Sequence, residues 1–136
     1  NFGALTTNSD VKNNYHEIRV AMPTGEIATG LSKVGIFVGD HAKFGIGTLL
    51  TSGTTVGVGA NLYGGGIFPK YIPSFIWGSN SDGFVHYKID KAIETAKIVM
   101  ERRGIRLGEH YKILLQRIFG FFTEDRTAFI VKQKRK

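Results

Sequence analysis

Between residues 38 and 66 the chain repeats every six residues, a period that neither an α-helix nor a simple alternating strand uses. Val38, Phe44, Leu50, Val56 and Leu62 form one apolar column. Four positions after each stand Ala42, Thr48, Thr54, Ala60 and Gly66, all small. Six residues suit one short side of a triangular solenoid in which three hexads complete a coil. The large residue then points inward and the small one fits where the chain turns a crowded corner. Gly39, Gly45 and Gly57 directly follow three of the apolar positions. They are assigned to corners where glycine's tolerance of positive φ is needed. Repetition at a fixed short period is the mark of a solenoid, and the fold class expected is mainly β.

The period fails on either side. Residues 8–33 gather Asn, Asp, Gly and Pro and read as a polar loop insertion, with a short strand expected at 17–21. Residues 67–78, aromatic and proline-containing, read as an ordered but irregular crossover. Beyond them Ile89, Ile93, Ala96 and Met100 recur at helical spacing, with Gly104 as the stop. A second helix presents Leu107, Tyr111, Leu114, Ile118 and Phe122 on one face, and TAFIVKQ alternates loosely enough to predict a short strand. The expected organisation is a β-solenoid over 1–78 and a helical extension with a basic tail over 79–136. The helices are expected to cap or flank the solenoid, whose open end would expose apolar surface and unpaired backbone.

A length of 136 residues allows one compact domain. With no cysteine, disulfides, thiolate metal sites and cysteine nucleophiles are excluded. No apolar run reaches the roughly 18 residues a membrane-spanning helix needs. NFGALTTNSD shows neither the charged start nor the apolar run of a signal peptide, so a cytoplasmic location is expected. It also lacks a starting Met and begins inside a packed segment, so the chain reads as a fragment of a longer protein. The net charge of +7 owes much to Lys132, Lys134, Arg135 and Lys136, which read as a solvated tail. No helix-turn-helix, zinc-finger or RNP-type pattern accompanies them, so nucleic acid is not the partner expected.

Four stretches carry a family resemblance: NFGALTTNSDVKNNY, TGLSKVGIFVGDHAKFGIGT, SGTTVGVGANLYGGG, and PSFIWG followed by YKIDKA and VMERR. Together they span residues 1 to about 103 and resemble the C-terminal left-handed parallel β-helix of sugar-1-phosphate nucleotidyltransferases. That family includes bifunctional N-acetylglucosamine-1-phosphate uridyltransferase/glucosamine-1-phosphate acetyltransferases and proteins labelled glucose-1-phosphate thymidylyltransferase. The resemblance implies hexapeptide repeats with flanking C-terminal α-helices, a homotrimer with sites between adjacent subunits, and sugar phosphates or nucleotide sugars as ligands. It implies acetyl-CoA as co-substrate, no tightly bound cofactor, and Mg only in an N-terminal nucleotidyltransferase domain outside this chain. In such acetyltransferases an Asn and a downstream Lys hold the sugar phosphate and its amine. Asn8 takes the place of the Asn, or Asp10 does when the match is run through KNNY, and Lys12 takes that of the Lys. The family's basic His would lie before residue 1, so the chain alone would lack it.

Acyl transfer from a thioester needs a base, donors for the oxyanion and positioning. His41, inside the hexads, is the candidate base among residues present, against a packing role. Asp10, Asn13, Asn14 and Tyr15 offer hydrogen bonds to sugar hydroxyls, against an Asn-rich turn. By resemblance Gly45, Ile46, Gly64 and Gly65 lie on the edge that takes the coenzyme, and Lys70 would meet its phosphates, as would Lys12 or Lys43. His16 borders the polar loop, while His86 and His110 border the helices. The four histidines show no metal spacing, so no metal site is expected. Three functions stay open: an acyltransferase module, a non-catalytic trimerisation stem of a nucleotidyltransferase, and a basic nucleic-acid binder.

Overall fold

The computed structural model of the chain describes residues 1–10 and 14–134. The insertion holds an antiparallel hairpin, β1 (Arg19–Met22) and β2 (Gly25–Ala28), with Arg19 opposite Ala28. Only β1 was legible in advance. Every residue of β2 is exposed, so it carries no apolar alternation to read.

Nine short strands follow: β3 (Phe37–Val38), β4 (Lys43–Phe44), β5 (Thr48–Leu49), β6 (Thr55–Val56), β7 (Asn61–Leu62), β8 (Gly66–Ile67), β9 (Tyr71–Ile72), β10 (Ile76–Ser79) and β11 (Gly83–His86). From β3 to β10 each pairs in parallel with the third strand along, giving the small sheets β3-β6-β9, β4-β7-β10 and β5-β8. Phe37 lies opposite Thr55, Lys43 opposite Asn61 and Thr48 opposite Gly66, so a circuit takes three hexads. This makes a β-helix-like region. The next circuit is two residues shorter, with Thr55 opposite Tyr71 and Asn61 opposite Trp77. The segment read as an irregular crossover therefore carries two paired strands, hidden because the shortening breaks the hexad count. β11 closes the edge antiparallel to β10. At the other edge Phe2 bridges Phe44 and Thr7 bridges Leu49, so the insertion interrupts the circuit between them and β4.

The apolar column is the core except at its first member, since Val38, expected inside, is exposed on the first described coil. Phe44, Leu50, Val56 and Leu62 are buried, and Phe68 and Ile72 continue them. Each such side chain contributes about 1.5–3 kcal/mol by leaving water. Ala42, Thr48, Thr54 and Ala60 are also buried, while Gly66, the last of the small column, is exposed. The corner glycines differ from expectation in mechanism. Positive φ falls at Gly47, Gly53 and Gly59, not at Gly39, Gly45 or Gly57. Those three are small because coils touch there: a Cβ on Gly57 would sit 2.3 Å from the Ser74 amide nitrogen, and one on Gly39 2.6 Å from that of Val58.

Three helices complete the chain: α1 (Ile89–Glu101), α2 (Glu109–Phe121) and α3 (Thr123–Lys134). Gly104, at φ 70°, stops α1 as expected, its amide bonding Glu101 O at 3.0 Å. α1 buries Ala92 and Ala96 against Phe75 and Leu115. In α2 the inward residue is Leu115, while Leu114, expected inside, is exposed. The strand predicted at TAFIVKQ is instead part of α3, because Arg126, Phe129 and Ile130 recur at helical rather than strand spacing. Phe129 meets Phe84 edge-on at 5.2 Å, joining α3 to the core of the β-helix-like region. Arg126, fully buried, donates to Ser74 O, Phe119 O, Thr123 Oγ1 and His86 Nδ1 and stacks 4.2 Å from the Phe119 ring. It ties α3 to α2 and to the last coil.

Candidate functional site

The coil has three corners, and the candidate residues divide among them. At the corner entering β4, His41 adopts φ 60°, in line with Gly59 and Phe75 on the following coils. Its ring lies 5.8 Å from that of Tyr111, whose hydroxyl donates to Asp40 Oδ2 at 3.3 Å. Burial, then the Lys43 ammonium, lower the His41 pKa, with Asp40 pulling partly the other way. Lys43 is itself lowered by burial and donates from Nζ to His41 O at 3.0 Å. Both groups border a cleft of about 470 Å³ that α1 closes with Arg102 and Arg103.

At the corner between β4 and β5 lie Gly45 and Ile46, with Gly64 and Gly65 on the following coil. Gly65 packs beneath Ile46 and Gly47, where a Cβ would lie 3.5 Å from Gly47 O and 3.6 Å from Ile46 O. Gly66 N donates to Gly47 O at 2.9 Å, which fixes the stacking. The result is a ledge of backbone whose one large side chain, Ile46, is 71% exposed.

The polar insertion lies at the corner between β5 and β6. Ser52 N donates to Asp10 Oδ1 at 2.9 Å, and Asp10 N donates to Ser52 Oγ at 3.3 Å. These bonds hold the start of the loop against the β5–β6 corner. Lys70 is here too, donating to Ser52 O at 3.1 Å, so it accompanies Asp10 rather than the glycine ledge. Ser9, Asp10, Tyr15, Ser32, Lys33 and Ser52 line a cleft of about 550 Å³. Asn8 is exposed, its Oδ1 accepting from Ser9 Oγ at 3.4 Å. Asn14 Oδ1 accepts from His16 N at 3.2 Å, and Tyr15 is exposed at φ 52°. Lys12 and Asn13 lie outside the described residues.

Sequence reasoning missed Ser32, Lys33 and Ser52 in the polar cleft and Arg102 and Arg103 in the basic one. Ser52 carried a weak signal, as a small residue within the hexads. The arginines carried none, because only folding brings the end of α1 to Lys43. His86 accepts from Arg126 and has its pKa lowered by burial and by that guanidinium. Among the described residues no cluster of three or more metal-ligating side chains occurs, and no helix is long and apolar enough to cross a membrane.

No protein-family model matches the chain. Over 67 residues it is 31% identical to a bifunctional sugar-1-phosphate nucleotidylyltransferase/acetyltransferase of Sulfurisphaera tokodaii. The match covers 49% of this chain and 17% of that protein, a distant and partial relation.

Proposed function

We propose that the chain is a left-handed parallel β-helix module of a nucleotide-sugar biosynthesis protein, assembles as a homotrimer, and transfers an acetyl group from acetyl-CoA to an amino-sugar phosphate. The observation that carries this reading is the ledge of Gly45, Ile46, Gly64 and Gly65, three of whose four residues carry no side chain, on a coil that also anchors a polar loop. A narrow pantetheine arm fits such a ledge, and backbone amides along it can meet the thioester oxygen. The partial likeness to an acetyltransferase-bearing protein points the same way. In the reaction the sugar's amine attacks the thioester carbonyl, a C–N bond forms, the C–S bond breaks, and coenzyme A leaves as the thiol with the amine's proton.

On one chain the ledge, the polar cleft and His41 stand at different corners. A threefold assembly brings a corner of one subunit beside a different corner of the next, which is how this reading unites the site. Asn8, Asp10, Asn14 and Tyr15, with Lys12 and Asn13, then take the sugar phosphate. Lys70 takes a coenzyme phosphate from the same side. His41, whose lowered pKa keeps its imidazole neutral near pH 7, is the proton acceptor.

A second reading, a trimerisation stem without chemistry, is favoured by the exposure of Phe37, Ile46 and Ile67, apolar residues suited to subunit contact. Isothermal titration of acetyl-CoA, with the oligomer sized by light scattering, separates the two. One saturable site per subunit of a trimer supports the acyltransferase. A folded trimer that binds no acetyl-CoA leaves the stem, and a monomer removes both.

A further inference from the structure

α3 packs on β11, and its Phe129 and Ile130 join the buried cluster that holds Phe68, Ile72 and Phe84. It thereby covers apolar surface that the last coil would otherwise expose. Two polar contacts fasten it there. The Tyr71 hydroxyl donates to Asp125 Oδ2, and Arg126 Nε donates to His86 Nδ1 at 3.2 Å.

The two contacts answer differently to pH. Tyr71 stays a neutral donor into the alkaline range, since burial and the Asp125 bond raise its pKa. His86 accepts through a ring lone pair, which only a neutral imidazole has free; an imidazolium carries N–H on both nitrogens. Protonation would therefore replace a hydrogen bond by two like charges at contact distance. The ring is exposed, so a proton reaches it without any opening of the fold. Besides burial, the charge acting on His86 is the Arg126 guanidinium on α3; Ile76 is its partner across β10, and no acid among the described residues offsets a positive charge there.

Arg126 is poorly placed to retreat. It is fully buried, its Nη1 and Nη2 groups donate to Ser74 O, Phe119 O and Thr123 Oγ1, and it stacks on Phe119. None of the ion pairs among the described residues involves it, and its neighbour Asp125 accepts from Tyr71. The strain of a charged His86 thus falls on the docking of α3. α1 and α2 pack in a separate cluster around Phe75, Ala96 and Leu115, which contains neither His86 nor Arg126.

We propose that His86 and Arg126 form an acid-released latch: a neutral His86 holds α3 on β11, and its protonation loosens α3 from the last coil while α1 and α2 stay packed. The latch does not depend on acetyl transfer or on the glycine ledge. Undocking returns His86 to its ordinary pKa near 6.5, whereas docking holds it lower. Docking is therefore strongest above pH 6.5 and weakens as pH falls below it.

Backbone amide hydrogen exchange, corrected for the intrinsic rate, is measured at pH 7.5 and pH 5.0 on the parent chain, His86→Gln and His110→Gln. Glutamine keeps a neutral acceptor that acid does not remove, and His110, exposed on α2, is the control. In the parent and in His110→Gln, protection of α3 amides 127–131 should be about tenfold lower at pH 5.0, the worth of one hydrogen bond to a charged group. Protection of α1 amides 96–100 should not change. In His86→Gln the ratio of α3 protection at the two pH values should be near one, whatever its absolute level. Equal α3 protection at both pH values in the parent, the same acid loss in His86→Gln, or an equal loss in α1 would overturn the proposal.

Discussion

Replacing Gly57 by Ala tests whether the coils are held at contact distance. The added Cβ would lie 2.3 Å from Ser74 N, 2.5 Å from Ser74 Oγ and 2.6 Å from Ser74 Cα. Two of these are backbone atoms, so rotating a side chain cannot relieve the clash, and the coils must part by about 1 Å to restore ordinary contact. That movement strains the bond from Gly57 N to Ile72 O at 2.8 Å and the one from Val58 N to Ser74 Oγ at 3.1 Å. Overpacking costs about 1–3 kcal/mol, and one weakened buried hydrogen bond adds about 1 kcal/mol. The expected loss is therefore roughly 2–4 kcal/mol, read from urea unfolding by circular dichroism at fixed protein concentration. Gly120→Ala is the companion variant. Gly120 lies exposed inside α2 with nothing within 4 Å of its Cβ position, so alanine should stabilise by about 1 kcal/mol. If Gly57→Ala proved as stable as the parent while Gly120→Ala behaved as stated, the close stacking of coils would be refuted.

Arg126→Met should cost about 2–3 kcal/mol in urea unfolding, since it leaves the Ser74 and Phe119 carbonyls without their buried donor; a loss under 0.5 kcal/mol would deny the residue its tying role. His86 and His41 both have folded pKa values below the ordinary value near 6.5, mainly through burial. The unfolded chain therefore binds more protons, and stability should fall as pH drops through that value, with His86→Gln plus His41→Gln flattening the slope. An unchanged slope between pH 7 and 5 would contradict this. Tyr71 is raised above the ordinary phenol value near 10 by burial and by its hydrogen bond to Asp125. Its stabilisation should be full below pH 10 and lost above it, and Tyr71→Phe should remove that alkaline step in a pH series of melts. Asp10→Ala should release the start of the polar loop from Ser52 and speed hydrogen exchange at the Ser52 amide, while exchange at the Leu62 amide stays unchanged.

The β-helix-like region was legible where its period was regular. Leu50, Val56 and Leu62 point inward because each side of the coil spends six residues, and a column of that kind survives in the sequence. The same count failed at Ile72 and Gly78, since a circuit two residues shorter moves the inward positions out of step. Gly39, Gly45 and Gly57 were recognised as special for the wrong reason: a glycine set by a neighbouring coil looks identical in sequence to one set by φ. Leu114 and Leu115 differ by one residue of helical phase, which adjacent leucines cannot settle. The helix over Thr123–Lys134 was lost because Thr127, Phe129 and Val131 also fit a strand, and the buried Arg126 that fixes its inner face reads as a surface charge. Gly45, Ile46, Gly64 and Gly65 were grouped by the family resemblance and not by any local pattern. Lys70 went to the polar corner because a lysine's corner depends on the shortened circuit, and the basic cleft depends on a helix packing that no local pattern encodes.

The proposed coenzyme site is most directly tested by backbone amide NMR on the assembled chain, titrated with acetyl-CoA. The account predicts saturable shifts at Ile46, Gly64 and Gly65, with Gly104 and Gly120 unmoved. Saturable binding whose shifts leave these three residues untouched, or no shifts at all at millimolar acetyl-CoA, would contradict it.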